Sequence, residues 1–150
     1  MSRVITFSKY FPAYHPRKGE PTLFVEQIQG GLKVHTIRAG NRWKVGDKFS
    51  PRIWSGKPYR TPQLTIAPDM EIKKVWDYEV KINPSGVEQW FINGTMVSES
   101  NDYMQQWFNA GLIELIARND GLTLQDFLNW FKHPLNFKGQ IICWNENINY

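Results

Sequence analysis

Cysteine is nearly absent. Cys143 is the single one in 150 residues, which excludes an intrachain disulfide framework and a thiolate metal cluster. Histidine is scarce as well. His15, His35 and His133 lie far apart with no paired-ligand spacing, so no metal site is expected. No apolar run approaches the ~20 residues that cross a bilayer. There is no Gly-rich phosphate loop and no Ser-His-Asp order, and no repeat, low-complexity tract or Pro/Ser linker divides the chain. The opening residues, Met1 to Phe7, lack the apolar core of a secretory leader and read as an early strand. These absences predict one cytoplasmic domain over residues 1–150, with no membrane partner and no cofactor.

What is present is ordinary for a globular chain, but unevenly arranged. Hydrophobic residues make up 41% and charged residues 21%, enough apolar material to bury a core at this length. Residues 1–60 carry 12 Lys and Arg against 3 Asp and Glu; the remainder carries 6 against 11. A basic half that folds into one surface attracts polyanions and holds phosphates in a salt-dependent way. RNA or a nucleoside or nucleotide is the partner that this asymmetry suggests.

Periodicity and turn signals predict the elements. Residues 4–7 read as a strand, and Pro21 as the first turn of a helix carrying Phe24, Val25 and Ile28. Gly30-Gly31 stops that helix. Strands are expected at residues 34–38, 48–54, 64–66 and 72–82, with a turn at Gly56-Lys57-Pro58. Asn93-Gly94 between apolar runs predicts a hairpin, because Asn-Gly readily takes positive φ. A helix is expected over 103–117, with Trp107, Phe108, Leu112, Leu115 and Ile116 near one face, and Asp120-Gly121 breaks it. Thr123 followed by Asp126 predicts an N-cap and a helix through Phe131. Residues 139–144 read as the last strand. The sum is an α+β domain, expected as a small mixed or antiparallel β-barrel with flanking helices.

The chemistry is concentrated after the double glycine, in Lys33-Val34-His35-Thr36-Ile37-Arg38. On a strand Thr36 and Arg38 share one face, and His35 and Ile37 share the other. Lys33 has the wrong parity to join Thr36 unless it lies in a turn or bulge, which the glycines permit. Arg42-Trp43-Lys44 follows, then Val45-Gly46-Asp47, where the acid can fix a turn.

Gly31-x-Lys33-x-x-Thr36-x-Arg38, Val45-Gly46-Asp47 and Asp120-Gly121-Leu122 together resemble the ASCH domain, a relative of the PUA domain. Phe127-x-x-Trp130-Phe131 and Phe137-x-Gly139-x-Ile141-Ile142-x-Trp144 extend the resemblance, which leaves residues about 61–110 unmatched. It implies a PUA-like barrel that engages RNA or a nucleoside. Some small ASCH proteins are amidohydrolases that remove the acetyl group of N4-acetylcytidine. By that resemblance Lys33 is a proton acceptor, Thr36 a nucleophile and Asp120 a proton donor. A Thr hydroxyl needs a neighbouring base, a Lys base needs a lowered pKa, and an acid that protonates a leaving amine needs a raised one. The hydrolases carry Glu where this chain has Asp120, and residues 84–104 form an insertion-like region that could cover or reshape the mouth.

Arg38, Arg42, Trp43, Lys57 and Arg60 are the candidate nucleic-acid or substrate-binding residues, since aromatics beside cations stack on unpaired bases. Trp54, beside Lys57 and Arg60, belongs with them. Trp107, Trp130, Phe131 and Trp144 read as core, His35 as a packed side chain, and Cys143 as a buried, inert thiol. Four functions follow in order: a non-hydrolytic RNA- or nucleotide-binding pocket, an amidohydrolase, a ribonuclease, and a protein-interaction adaptor.

Overall fold

The structure is a computed structural model and describes residues 3–101, 106–108, 110–131 and 136–150. The element order is β1 (Arg3–Thr6), α1 (Phe24–Gln29), β2 (His35–Ala39), β3 (Lys48–Trp54), β4 (Gln63–Thr65), β5 (Met70–Glu71), β6 (Lys74–Ile82), β7 (Glu88–Ile92), β8 (Thr95–Asn101), β9 (Gln106–Phe108), α2 (Ala110–Asn119), α3 (Leu124–Trp130) and β10 (Phe137–Cys143). The α+β class is as expected. The strands form two sheets: β1-β3-β4, with β5 also on β3, and β2-β10-β6-β7-β8-β9. Among the described residues no strand pair joins one sheet to the other, so the hydrogen bonding does not close a barrel.

Strand β10 organises the layers. It pairs antiparallel with β2 on one side and β6 on the other. Successive side chains on a strand point to opposite faces. Ile141 therefore faces a core built with Ile37, Trp76 and Tyr78 of the sheet and Ile113, Ile116 and Phe127 of the helices. Its neighbour Ile142 faces a second core with Ile5, Phe49 and Ile53 of the smaller sheet and Phe7 just after β1. Both isoleucines are fully buried. The larger sheet is thus the middle layer, with α2 and α3 on one face and the small sheet on the other, while α1 gives Phe24 to the first core and Ile28 to the second.

Local chemistry explains where elements begin and end. Thr123 Oγ1 accepts from Asp126 N at 3.1 Å, capping α3 as its sequence predicts. Asn93 and Gly94 both take positive φ, 50° and 81°, and join β7 to β8. Two expectations are corrected. Pro21 does not open a helix: it bridges Tyr10, and α1 starts only at Phe24, because residues 20–22 hydrogen-bond back to residues 9–11. The helix expected from residue 103 starts at Ala110 instead. Gln106–Phe108 pairs as a strand with β8, since aromatic residues suit a sheet and the edge of β8 offers unpaired backbone groups. Tyr103 and Met104 lie outside the described residues.

The backbones of β10 and β2 approach closely at Gly139, where a Cβ would stand 2.2 Å from the Arg38 carbonyl oxygen. Gly139→Ala is therefore expected to destabilise the fold by about 1–3 kcal/mol or more. Urea unfolding checks this, and an unchanged midpoint would contradict so close a crossing.

Candidate functional site

Strand β2 is the edge of the larger sheet, so side chains from both of its faces can reach the space beside it. That space is a cavity of about 340 Å³, lined by Lys33, Thr36, Arg38 and Asp120 together with aromatic walls. Four residues singled out from the sequence thus converge, although Asp120 is far from the others in the chain.

Lys33 lies just before β2, in the connection the double glycine opens, where Gly31 has φ 78°. Its N–H donates to Gln27 O of α1, and Val34 N–H donates to Asn119 O at the end of α2. This brings the Lys33 side chain to Asp120. Nζ donates to Asp120 Oδ1 at 2.9 Å and to Asp120 O at 2.6 Å. Both side chains are buried, 2% and 6% exposed. Gly121, at φ 84°, turns the chain after Asp120, and a Cβ there would meet Gln27 at 2.8 Å and Lys33 at 3.3 Å. The Asp120-Gly121 pair read from the sequence as a helix breaker is thus also what lets the acid approach the lysine.

Thr36 and Arg38 share a face, as parity requires. Arg38 Nε donates to Thr36 Oγ1 at 3.2 Å, and its NH2 group donates to Thr6 O of β1 at 2.6 Å. Among the described residues Arg38 forms no ion pair. Lys33 and Asp120 cancel one another's charge, so Arg38 leaves the cavity with a net positive group. A cation taken partly out of water, with no ion-pair partner and only the shared charge of Asp120 near it, favours an anionic ligand.

Burial pulls the Lys33 pKa below the ordinary lysine value, against the opposing pull of Asp120. Burial pulls Arg38 down as well, against the opposing charge of Asp120. For Asp120, burial alone would push the pKa up, but the charge of Lys33 and the contacts from His35 outweigh it and hold the carboxyl below its usual range. This disagrees with the role the resemblance gives Asp120, since a proton donor needs a raised pKa. The direction at Asp120 favours its carboxylate form, the one that pairs with Lys33.

The other candidates are placed differently. Trp43 is only 7% exposed: it packs on Phe49, under the Arg3 guanidinium at 4.0 Å, and Gln140 hydrogen-bonds both its N–H and its carbonyl. It is a core residue, corrected from a stacking platform, because Phe49 and the Arg3 guanidinium cover most of its ring. Arg42 is exposed and lies with Trp43 and Arg38 at a smaller cavity of about 260 Å³. Lys57 and Arg60 are exposed on the loop after β3; of that loop, Pro58 and Tyr59 line the main cavity. Trp54 does line it, in ring contact with Tyr59 at 5.0 Å. Asp47 accepts from Lys44 N and pairs with Arg3, fixing its turn.

Sequence reasoning missed several lining residues. Phe7, Phe24, Trp130 and Phe131 form aromatic walls, and Trp130 and Phe131 also pack on the helix-side core. Helical spacing identifies such residues as buried but not that a cavity lies on their far side. Lys33 Nζ stands 4.3 Å from the Phe24 ring centroid, a cation–π contact. No described residue of 84–104 lines the cavity; β7 and β8 extend the sheet beyond β6, away from β2. Among the described residues no three His, Cys, Asp or Glu side chains gather as metal ligands, and no helix is long and apolar enough to cross a membrane. His133 lies outside the described residues.

The fold and site define an α+β protein with an aromatic-walled cavity holding one buried ion pair and one guanidinium that forms no ion pair among the described residues. No family model, curated protein or solved structure matches the chain.

Removing one partner of a buried ion pair leaves a bare charge, at a cost of about 3–5 kcal/mol. Lys33→Met is expected to destabilise by that amount, and adding Asp120→Leu to recover much of it. Denaturant unfolding of both single variants and the double measures the coupling; additive losses would mean the pair contributes no coupling energy.

Proposed function

We propose that the chain binds a nucleotide, free or within single-stranded RNA, in the cavity beside β2. The observation that supports this best is the convergence of Arg38, which forms no ion pair among the described residues, with the Trp54–Tyr59 aromatic pair at one cavity of about 340 Å³. That volume lies in the range of small-ligand sites, and the mixture of aromatic walls with a few convergent polar groups suits a base joined to a phosphate. Arg38 takes the phosphate, an aromatic wall takes the base, and Lys33 and Asp120 present a paired donor and acceptor to its polar edge. The ASCH-type, PUA-like reading of the chain belongs to this proposal: the two sheets packed about a shared core would be the sides of such a barrel. A cytoplasmic location accords with the lone, buried Cys143.

The pocket aromatics Trp54 and Trp130 give a fluorescence readout. Cytidine 5′-monophosphate and a short single-stranded RNA are expected to bind, the RNA more weakly as salt rises. Arg38→Ala is expected to weaken the monophosphate roughly tenfold or more, and to weaken cytidine itself much less. No binding of either at millimolar concentration would sink the reading.

One observation favours a second reading, an amidohydrolase. Thr36 Oγ1 accepts from Arg38 Nε in the same cavity as Lys33, and a guanidinium donor stabilises negative charge developing on a hydroxyl oxygen. In this reading Lys33 takes the Thr36 proton only after passing its own to Asp120 or to solvent. Hydrolysis of N4-acetylcytidine that is lost in both Thr36→Ala and Lys33→Ala, with folding retained, is the expected result. Turnover that survives Thr36→Ala would remove the nucleophile.

A further inference from the structure

His35 stands on the strand face opposite Thr36, yet it reaches the same carboxylate as Lys33, because Asp120 ends the helix packed on that face. Its Nδ1 lies 3.4 Å from Asp120 Oδ1, an electrostatic contact longer than an ordinary hydrogen bond, and it has no hydrogen-bond partner among the described residues. Its Nε2 lies 2.7 Å from the Tyr150 hydroxyl. That hydroxyl also accepts from Asn119 Nδ2 at 2.9 Å. The His35 ring is fully buried, and the Tyr150 ring packs on Trp76 at 4.8 Å.

Donor and acceptor counting gives these contacts a direction. An amide nitrogen only donates, so Tyr150 uses a lone pair on Asn119 and keeps its proton for His35 Nε2. A lone pair on Nδ1 would face a carboxylate across 3.4 Å, which is repulsive, whereas an N–H there is attracted. The neutral ring therefore carries its proton on Nδ1, and the donors run from Asn119 through Tyr150 to His35, whose Nδ1–H faces Asp120 across 3.4 Å. Lys33 donates to the same oxygen, Oδ1, from the other side. Oδ2 receives no donor among the described residues and is the oxygen left for the cavity that Asp120 lines.

We propose that His35 is a positioning residue for the cavity: backed by Tyr150, it holds the Asp120 carboxylate ionised and turned so that Oδ2 meets the ligand. The titratable groups around it are Lys33 and Asp120 from the cavity side, Tyr150 behind, and Cys143 opposite on β10. Burial favours its neutral form. The consequence for ligand binding rests on the function proposed above; the state of His35 and Asp120 does not, since both are read without ligand.

Nitrogen-15 spectra of histidine-labelled full-length protein at pH 7 test the direction, His35 being assigned from its loss in His35→Asn. A neutral ring protonated on Nδ1 is expected; a proton on Nε2, or a charged ring, overturns the proposal whatever the variants do. The Asp120 carboxyl is then titrated by carbon-13 shift. A carboxylate with a folded pKa below its unfolded value keeps its stabilising effect above the unfolded value and loses it as pH falls through the folded one. In His35→Leu that loss is expected roughly one pH unit higher. His35→Asn restores most of it, because the amide N–H can stand where Nδ1–H stood. Should His35→Leu fail to fold, Tyr150→Phe keeps the ring on Trp76 and removes only the hydroxyl; it is expected to move the His35 proton toward Nε2 and raise the Asp120 midpoint. An unchanged Asp120 titration in a folded variant overturns the proposal. Tenfold weaker cytidine 5′-monophosphate binding in the same variants supports the link to the cavity, and unchanged binding overturns that link alone.

Discussion

A carboxylate in a protein interior needs a cation and hydrogen bonds around it, and meeting that need for Asp120 joins three parts of this molecule. Lys33, 87 residues away, supplies the charge. To do so its backbone must stand at the end of α1, where Gln27 O accepts its N–H, and the neighbouring Val34 must bond Asn119 at the end of α2. The ion pair, the helix ends and the start of β2 therefore fix one another. Such a pair contributes little or no net stability over a well-packed apolar alternative, but it tolerates little displacement, because loss of either partner leaves the other charge uncompensated in a low-dielectric surrounding.

The same constraint sets the electrostatic character of the cavity. With Lys33 matched by Asp120, the positive charge left over belongs to Arg38, which is held in place by neutral acceptors only, a hydroxyl and a backbone carbonyl. Aromatic walls raise the strength of any interaction with that group by excluding water. The sequence-level excess of basic residues in the first 60 positions matters less than this one placement. Trp43 is in the core, and Arg42, Lys57 and Arg60 are solvent-exposed away from the lining.

The layer arrangement decides what shapes the mouth. Because β10 sits between β2 and β6, strands added after β6 extend the sheet on the side away from β2. The described part of residues 84–104 grows outward there. The walls come instead from the loop carrying Pro58 and Tyr59, from the start of α1 and from the end of α3. Tyr59 holds a positive φ of 64° and is 88% exposed, an uncommon conformation for a non-glycine residue, at the rim of the cavity.

Local chemistry alone determined much of the chain. Turn signals placed β3 and, through Asn93-Gly94, the β7–β8 hairpin; the Thr123 cap placed α3, and strand parity put Thr36 and Arg38 on one face and His35 on the other. Those features depend on neighbours within a few residues, which is the range over which sequence patterns carry information. Tertiary structure decided the rest. It turned residues 106–108 into a strand by offering them an edge, moved the start of α1 by pairing Pro21 with Tyr10, and buried Trp43. It also brought Asp120 to Lys33 and Tyr150 to His35, and made Asp120 a carboxylate rather than an acid. Contacts between residues so far apart are set by how layers stack and which strand lies at an edge, and the ionisation of a buried group is set by the charges those contacts place beside it.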